Sequence, residues 1–241
     1  MRSSTSVSVP AVLNQRTLGE FHAQLAAAER LGGPVVLIGA DGVFCTGMDL
    51  AEVEDGFGSA KRGLLSFADC LLSIRWAPVP TIAAVDGSVL GGGLGIAAAC
   101  DLTLATARSS FGLPEALFGL IPAVVMPLLL ERVSPQQARL LALRGSTVTA
   151  ERAFTMGLVD QVVESSEQLE AETRRGVREL SRVPVQAIAS LKQLSETAGG
   201  CLLDEALCAG AGVTARLLQT SDVRRTIHAF LADGTQPWEA R

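Results

Sequence analysis

Three consecutive glycines, Gly91 to Gly93, separate a strand-like from a helix-like apolar stretch in "AAVDGSVLGGGLGIAAACD". Glycine weakens the interior of a strand or a helix by roughly 0.5–1 kcal/mol per residue. Such a run is expected where another group must approach the backbone closely. It could also serve only to let the helix pack tightly on the sheet, and the run by itself leaves both interpretations open. A nucleotide-binding loop is excluded, because neither GxGxxG nor GK[ST] is completed here.

The composition limits the size of the domain and the classes of partner. With 241 residues, 48% of them apolar, the chain can bury one large core. A net charge of −5 disfavours nucleic acid and acidic membranes as partners. We find neither an apolar signal region nor an uninterrupted run of the about 18 apolar residues that span a bilayer, and therefore expect a cytoplasmic protein. The odd number of cysteines and the absence of a CxxC pair predict core residues rather than disulfides or a metal site: Cys45, Cys70, Cys100, Cys201 and Cys208.

Before residue 134 the apolar pattern alternates between helices and buried strands. The spacing of Leu18, Phe21, Leu25 and Ala28 predicts a helix over residues 17–31. Short apolar runs bounded by Gly or Pro predict buried strands. The remaining predicted elements are strands at 34–40, 79–85 and 101–107 and helices at 59–75 and 92–100. This order is typical of an α/β domain with a largely parallel, covered sheet.

After residue 134 the pattern becomes mainly helical. Ser134 is a predicted N-cap with Pro135 at the first helical position, and Gly145 ends that helix. Thr149 is predicted to cap a further helix that leads into a short strand. Two long helices are predicted at 166–197 and 203–232. We therefore divide a single domain into an α/β core, residues 1–134, and a helical part, residues 135–241.

Two loops and one apolar segment are predicted to meet at one edge of the sheet. "DGVFCTGMDLAEVE" (41–54) follows one buried strand, and the glycine run follows the next. Loops after neighbouring parallel strands share an edge, so the N–H groups of Met48 and Gly92 can point into the same space. Two such donors are what an acyl oxygen needs when it becomes an enolate.

The third segment, "SSFGLPEALFGLIPAVVMPLLL" (109–130), contains Glu115 next to a strongly apolar run. Unpaired burial would raise the pKa of this carboxyl, which is the usual preparation of a general acid and base. Alternatively, Glu115 caps the helix that begins after Pro114. The residues themselves leave both interpretations open.

In this order and spacing, the three segments resemble the crotonase (enoyl-CoA hydratase/isomerase) superfamily. The resemblance rests on "FCTGMDL", "VDGSVLGGGLGIAAACDLTLAT" and "FGLPEALFGLIPAVVMPLLLERV", and "SPQQARLLALRGSTVTAERAFTMGLVDQVV" and "FLADGTQPWE" extend it. It implies a crotonase (ClpP/crotonase-like) α/β fold of stacked ββα units with a helical C-terminal trimerisation part. It also implies a homotrimer, which can pair into a hexamer, oxyanion-holding N–H groups at Met48 and Gly92, and Glu115 as acid and base.

Two departures narrow what the resemblance implies. Typical hydratases carry a glutamate two residues after the triple glycine, where this chain has Gly95. The strands ahead of the first helix are largely missing, which puts the adenine contacts of free coenzyme A in doubt.

The chain is most similar to the dehydratases of polyketide β-branching cassettes, and a leinamycin-type pathway is one setting this suggests. The implied substrate is a 3-hydroxy-3-methylglutaryl thioester on the phosphopantetheine of an acyl carrier protein, or on coenzyme A, with no further cofactor and no metal.

The distal carboxylate of such a substrate needs a cation. Lys61, Arg62 and Arg75 on the helix after the first loop are candidates, His228 is another, and each could instead be a solvated surface residue. Alternative functions are a CoA-linked hydratase, isomerase or decarboxylase, and a degenerate crotonase that serves as a docking subunit. A serine peptidase is disfavoured, because GxSxG is absent and neither histidine lies in the glycine-rich segments.

Overall fold

The computed structural model describes residues 3–51, 57–199, 202–237 and 239. Within these ranges, nine strands form two sheets. The first sheet is parallel with the order β1-β2-β4-β6-β9, and the second has the order β3-β5-β7-β8 and is parallel except for its last pair. The strands are β1 (Thr5–Ser8), β2 (Val35–Ile38), β3 (Val43–Cys45), β4 (Thr81–Val85), β5 (Ser88–Leu90), β6 (Leu102–Thr106), β7 (Ser110–Gly112), β8 (Val148–Thr149) and β9 (Gln161–Val163).

Ten α-helices surround these sheets in the described part of the chain. They are α1 (Gln15–Arg30), α2 (Phe57–Arg75), α3 (Gly92–Ala99), α4 (Met126–Arg132), α5 (Pro135–Arg144), α6 (Ala150–Met156), α7 (Ser166–Leu180), α8 (Val185–Gly199), α9 (Leu203–Leu217) and α10 (Ser221–Asp233). A 3-10 helix, Pro114–Phe118, follows β7. Among the helices in the described ranges, none combines the length and the apolar character needed to cross a membrane.

The strands and helices alternate as stacked ββα units. In each unit the first strand joins the first sheet, a three-residue second strand joins the second sheet, and a helix follows, as in β2-β3-α2 and β4-β5-α3. The third unit continues from β6 and β7 into the 3-10 helix. This is the arrangement that the resemblance implied. The apolar pattern alone predicted only the longer first strands, because three residues are too few to show a period.

The predicted helices are confirmed before residue 160 and partly wrong after it. Leu18, Phe21, Leu25 and Ala28 form the buried face of α1, as predicted. The two long C-terminal helices are each broken in two. Pro184 separates α7 from α8, since proline lacks an N–H and disfavours helical geometry at the residue before it. A turn that ends at Thr220 in extended geometry separates α9 from α10.

Both ends of the chain contribute to the sheets. Residues ahead of α1 contain β1, which pairs in parallel with β2, so the expectation that strands are largely missing there is corrected in part. After residue 134, β8 pairs with β7 and β9 with β6. The helical part is therefore continuous with the core, and α9 packs along α2.

The cysteines are mostly core residues. Cys45, Cys70 and Cys100 are buried, as predicted, whereas Cys208 is exposed, which corrects the prediction for that residue. Cys201 lies outside the described residues. Burial raises the pKa of each of the three buried thiols to about 12, so these cysteines remain protonated and pack as small apolar side chains.

Candidate active site

A cavity of about 360 Å³ lies where the three predicted segments meet. The loop at 46–50, Gly91 and Gly92, and Glu115 line one part of it. The segment 120–125 and side chains of α2 and α9 line the rest. The structure therefore brings together the residues that the sequence analysis placed at one edge of the sheet.

Two backbone N–H groups in this wall are available to a ligand. Leu13 pairs with the residues on either side of Met48: its N–H donates to the Gly47 carbonyl and its carbonyl accepts from Asp49, both at 2.8 Å. This leaves the Met48 N–H without an acceptor among the described residues. Gly92 is the first residue of α3, where an N–H has no acceptor within the helix. The two loops touch, since a Cβ on Gly47 would lie 2.9 Å from the Gly92 nitrogen.

The glycine run allows both the close approach of another group to the backbone and the tight packing of the helix on the sheet, at different positions of the run. A Cβ on Gly93 would lie 2.4 Å from the Cys45 carbonyl oxygen, so this glycine is required for close packing of α3 on β3. Gly91 has a positive φ of 52°, which favours glycine, and a Cβ there would lie 3.1 Å from Glu115 Oε1. The first glycine of the run therefore borders the carboxylate, and the third allows the helix to pack.

Glu115 lies in the 3-10 helix and is half-buried. Its Oε2 atom is completely buried and has no hydrogen-bond partner in the described part of the chain. Burial raises the pKa of Glu115 to about 7, against a smaller lowering by its own backbone N–H. The N-cap residue, Leu113, makes no side-chain hydrogen bond, and Glu115 lies in the first turn of this 3-10 helix, where a carboxylate also favours the helix N-terminus. A carboxyl group with a pKa near neutrality can both accept and return a proton.

Position 95 faces apolar atoms. A Cβ on Gly95 would lie 3.1 Å from Val125 Cγ2 and 3.3 Å from Leu71 Cδ1. A glutamate at this position would have to displace these side chains. Glu115 and Asp49 are the acidic residues among the described residues that line the cavity, and Asp49 already accepts a hydrogen bond from the Ala51 N–H at 3.0 Å.

Of the four predicted substrate-binding side chains, the structure brings one to the cavity. Arg62 lines it and is the only basic residue to do so in the described ranges. Lys61 is exposed and lies outside the lining, as does His228 on α10. Arg75 is engaged elsewhere: its Nε donates to Glu131 at 3.0 Å, and its guanidinium lies 5.0 Å from the Trp76 ring centroid.

The sequence analysis missed the wall formed by the C-terminal part. Thr214 and Leu218, in and just after α9, line the cavity next to residues of the segment 120–125. Periodicity predicted a helix there, but a helical pattern does not tell which surface the helix will cover. The residue predicted from this part of the chain, His228, lies on the following helix and outside the lining.

Comparison with known proteins agrees with this geometry. The model of the enoyl-CoA hydratase/isomerase family matches residues 9–241. Bacillaene synthase dehydratase PksH of Bacillus subtilis (strain 168) is 32% identical over 212 residues, which are 85% of this chain and 79% of that protein.

Solved structures extend the similarity to the fold. The crystal structure of PksH from Bacillus subtilis has a TM-score of 0.84 at 26% identity, covering 95% of this chain and 93% of that chain. An enoyl-CoA hydratase/isomerase from Xanthobacter autotrophicus Py2 has a TM-score of 0.85 at 29% identity, covering 97% and 91%. With a matching family model, a shared fold and a cavity at the family's motifs, this chain belongs to the enoyl-CoA hydratase/isomerase (crotonase) family and is a hydratase/dehydratase-like enzyme.

Proposed function

We propose that this enzyme is a lyase that removes water from a 3-hydroxy-3-methylglutaryl-type thioester to give the 3-methylglutaconyl-type enoyl thioester. The observation that carries the proposal is Glu115, a carboxyl group with a pKa of about 7, in the same cavity as two N–H donors that have no acceptor among the described residues. The dehydratase name of the relative PksH supports the same reaction.

The proposed elimination uses one carboxyl group for two proton transfers. Ionised Glu115 removes a proton from the α-carbon, and the thioester oxygen takes up negative charge as an enolate. The N–H groups of Met48 and Gly92 donate hydrogen bonds to that oxygen. Protonated Glu115 then gives its proton to the departing β-hydroxyl as the Cα–Cβ double bond forms. The products are the enoyl thioester and water, and Glu115 is ionised again.

One feature favours a carboxylate-bearing acyl group. Arg62, an exposed residue of α2, is the basic residue of the lining in the described ranges, and a guanidinium binds a carboxylate well. Because position 95 is glycine, the proposed mechanism assigns both proton transfers to Glu115. The same groups catalyse the elimination and its reverse, so the direction of the net reaction depends on which thioester is supplied.

We further propose that the acyl group arrives on the phosphopantetheine arm of an acyl carrier protein. The resemblance to β-branching dehydratases supports this carrier, with coenzyme A as the alternative that the family description names. The proposed chemistry requires no other cofactor and no metal, because the enolate is stabilised by the backbone.

The test is dehydration of 3-hydroxy-3-methylglutaryl-carrier protein, followed as the loss of one water by intact-protein mass spectrometry. Glu115→Gln keeps the shape of the side chain but cannot transfer a proton, so we expect a decrease in rate of at least ~100-fold. Glu29→Gln is the matched control, because Glu29 also has a buried oxygen without a partner and a raised pKa but does not line the cavity. Its rate should remain near that of the wild type.

Gly92→Ala tests the oxyanion donors separately. The new Cβ would meet Leu13 Cδ1 and Phe67 Cζ at 3.0 Å, so the N–H should shift and the rate should fall while Glu115 stays intact.

Turnover of the coenzyme A thioester but not of the carrier-protein thioester would indicate the CoA-linked alternative. Wild-type rates in Glu115→Gln would reject this mechanism, and inactivity of the wild-type enzyme on every thioester would favour a docking subunit.

A further inference from the structure

Thr214 is a buried hydroxyl in a wall of the cavity that the proposed mechanism does not use. It is 9% exposed and lies on α9. Met48 and Gly92 face the thioester oxygen in the proposed reaction, and Glu115 serves the β-hydroxyl. Thr214 lies on none of the elements that carry these three groups, so the wall formed by α9 is available to the part of the acyl group beyond the β-carbon.

The Thr214 hydroxyl makes a longer hydrogen bond than several other hydroxyls on or at the end of helices in this chain. Four of these donate to the carbonyl four residues earlier at 2.6–2.9 Å: Ser73, Thr155, Ser181 and Thr226. Thr214 instead donates to the carbonyl of Ile121, across the cavity wall, at 3.4 Å. A hydroxyl normally donates at about 2.7–2.8 Å, so this bond is weak.

Most buried polar groups in proteins make hydrogen bonds of normal length. The long hydrogen bond of the buried Thr214 hydroxyl therefore leaves it able to bind a stronger acceptor. An anionic oxygen in the cavity would be a stronger acceptor than the Ile121 carbonyl. Arg62, in the same lining, would favour an anionic group there. Each of these points favours a ligand with a carboxylate over one with an apolar end.

We propose that Thr214 is a specificity-determining residue, whose hydroxyl donates a hydrogen bond to a carboxylate oxygen of the acyl group beyond its β-carbon. This inference rests on the proposed function and names the part of the substrate that α9 recognises. The enzyme would therefore prefer one of two hydroxyacyl thioesters that have the same α- and β-carbon substituents. It would prefer the one that ends in a carboxylate to the one that ends in an alkyl group.

The test compares two pantetheine thioesters, 3-hydroxy-3-methylglutaryl and 3-hydroxy-3-methylpentanoyl, which share the same β-carbon substituents and of which only the first has an oxygen beyond the β-carbon. Thr214→Val, which keeps the shape but removes the hydroxyl, should lower kcat/KM for the first roughly tenfold, mainly through KM. The value for the second should change less than about twofold. Thr214→Ser should restore the preference. Thr226→Val, at a more deeply buried helical threonine outside the cavity, should change neither value.

Equal losses on both thioesters, or a serine variant as poor as the valine variant, would overturn the proposal. Binding to Glu115→Gln, measured by calorimetry with and without Thr214→Val, separates this inference from the proposed function because it requires no turnover. A loss of affinity confined to the carboxylate-bearing thioester supports the role of Thr214 even if the wild-type enzyme does not dehydrate it. Affinities that Thr214→Val leaves unchanged contradict that role.

Discussion

Glu115 combines a catalytic position with an environment that opposes its ionised form. Its buried Oε2 has no partner, and burial is the main cause of its raised pKa. Because the pKa in the folded protein, about 7, is above the ordinary value of 4.5, folding favours the protonated form. The stabilising contribution of the protonated group is fully present below pH 4.5 and is lost as the pH rises through 7.

At the same scale, we predict that Glu115→Gln removes this pH dependence. Glutamine remains neutral, so the variant should gain stability relative to the wild type as the pH rises from 5 to 8. The gain should be on the order of 2–3 kcal/mol at the upper end. Urea unfolding at both pH values measures it. A difference between variant and wild type that does not grow with pH would show that Glu115 is not desolvated in solution.

At the scale of elements, the position of α9 depends on one close approach. A Cβ on Gly210 would lie 2.2 Å from the Ala123 carbonyl oxygen and 3.0 Å from the Val124 nitrogen. Ala123 and Val124 line the cavity, and Thr214 follows one turn after Gly210. Gly210 thus allows α9 to lie directly against the loop that forms the cavity wall.

We therefore predict that Gly210→Ala displaces α9 and destabilises the protein by about 1–3 kcal/mol. Its rate on the carboxylate-bearing thioester should fall as well, because the cavity wall moves. Gly212→Ala is the matched control on the same helix: its Cβ would meet only Arg216 Nη1, at 3.6 Å. That change should be neutral or stabilising by up to about 1 kcal/mol. Equal thermal stabilities of the two variants would contradict the close approach.

At the scale of the whole molecule, the sequence argument for a trimer needs a correction. An apolar stretch such as "VVMPLLL" (124–130) is expected to exceed what one subunit can cover, yet Val124, Val125, Leu128 and Leu129 are buried within the chain, and Leu130 is 44% exposed. The helices α3, α5 and α9 pack against α4, which carries most of this stretch. Large exposed apolar side chains occur elsewhere, including Leu191 and Leu194, which lie one turn apart on α8 at 61% and 64% exposure.

We propose that this face of α8 contributes to contacts between subunits of a homotrimer, since exposed apolar patches commonly mark interfaces. Leu194→Glu should then shift the mass measured by light scattering at micromolar concentration from trimer towards monomer. Leu31→Glu, at a side chain 70% exposed at the end of α1, should leave the mass unchanged. A monomeric wild type would contradict the trimer, and an unchanged mass for Leu194→Glu would exclude this face from the interface.

Local patterns in the sequence determined much of the fold and the identity of the motif-bearing loops. Several features depend only on residues within a few positions of one another. They are the apolar spacing and the ends of α1, the N-caps at Ser134 and Thr149, and the glycine-rich junction at 91–93. Such features are fixed by backbone geometry and side-chain periodicity. Motif order then indicated the family and singled out Met48 and Gly92 as candidate donors.

Only the tertiary structure decided which side chains share the cavity. Lys61 and Arg62 are neighbours in the sequence, but helical rotation and packing bring only Arg62 to the lining. The burial of Glu115 Oε2 depends on the surrounding fold, and the contact between Thr214 and Ile121 joins residues 93 positions apart. No local pattern encodes such distances, because they depend on how elements far apart in the chain pack against one another.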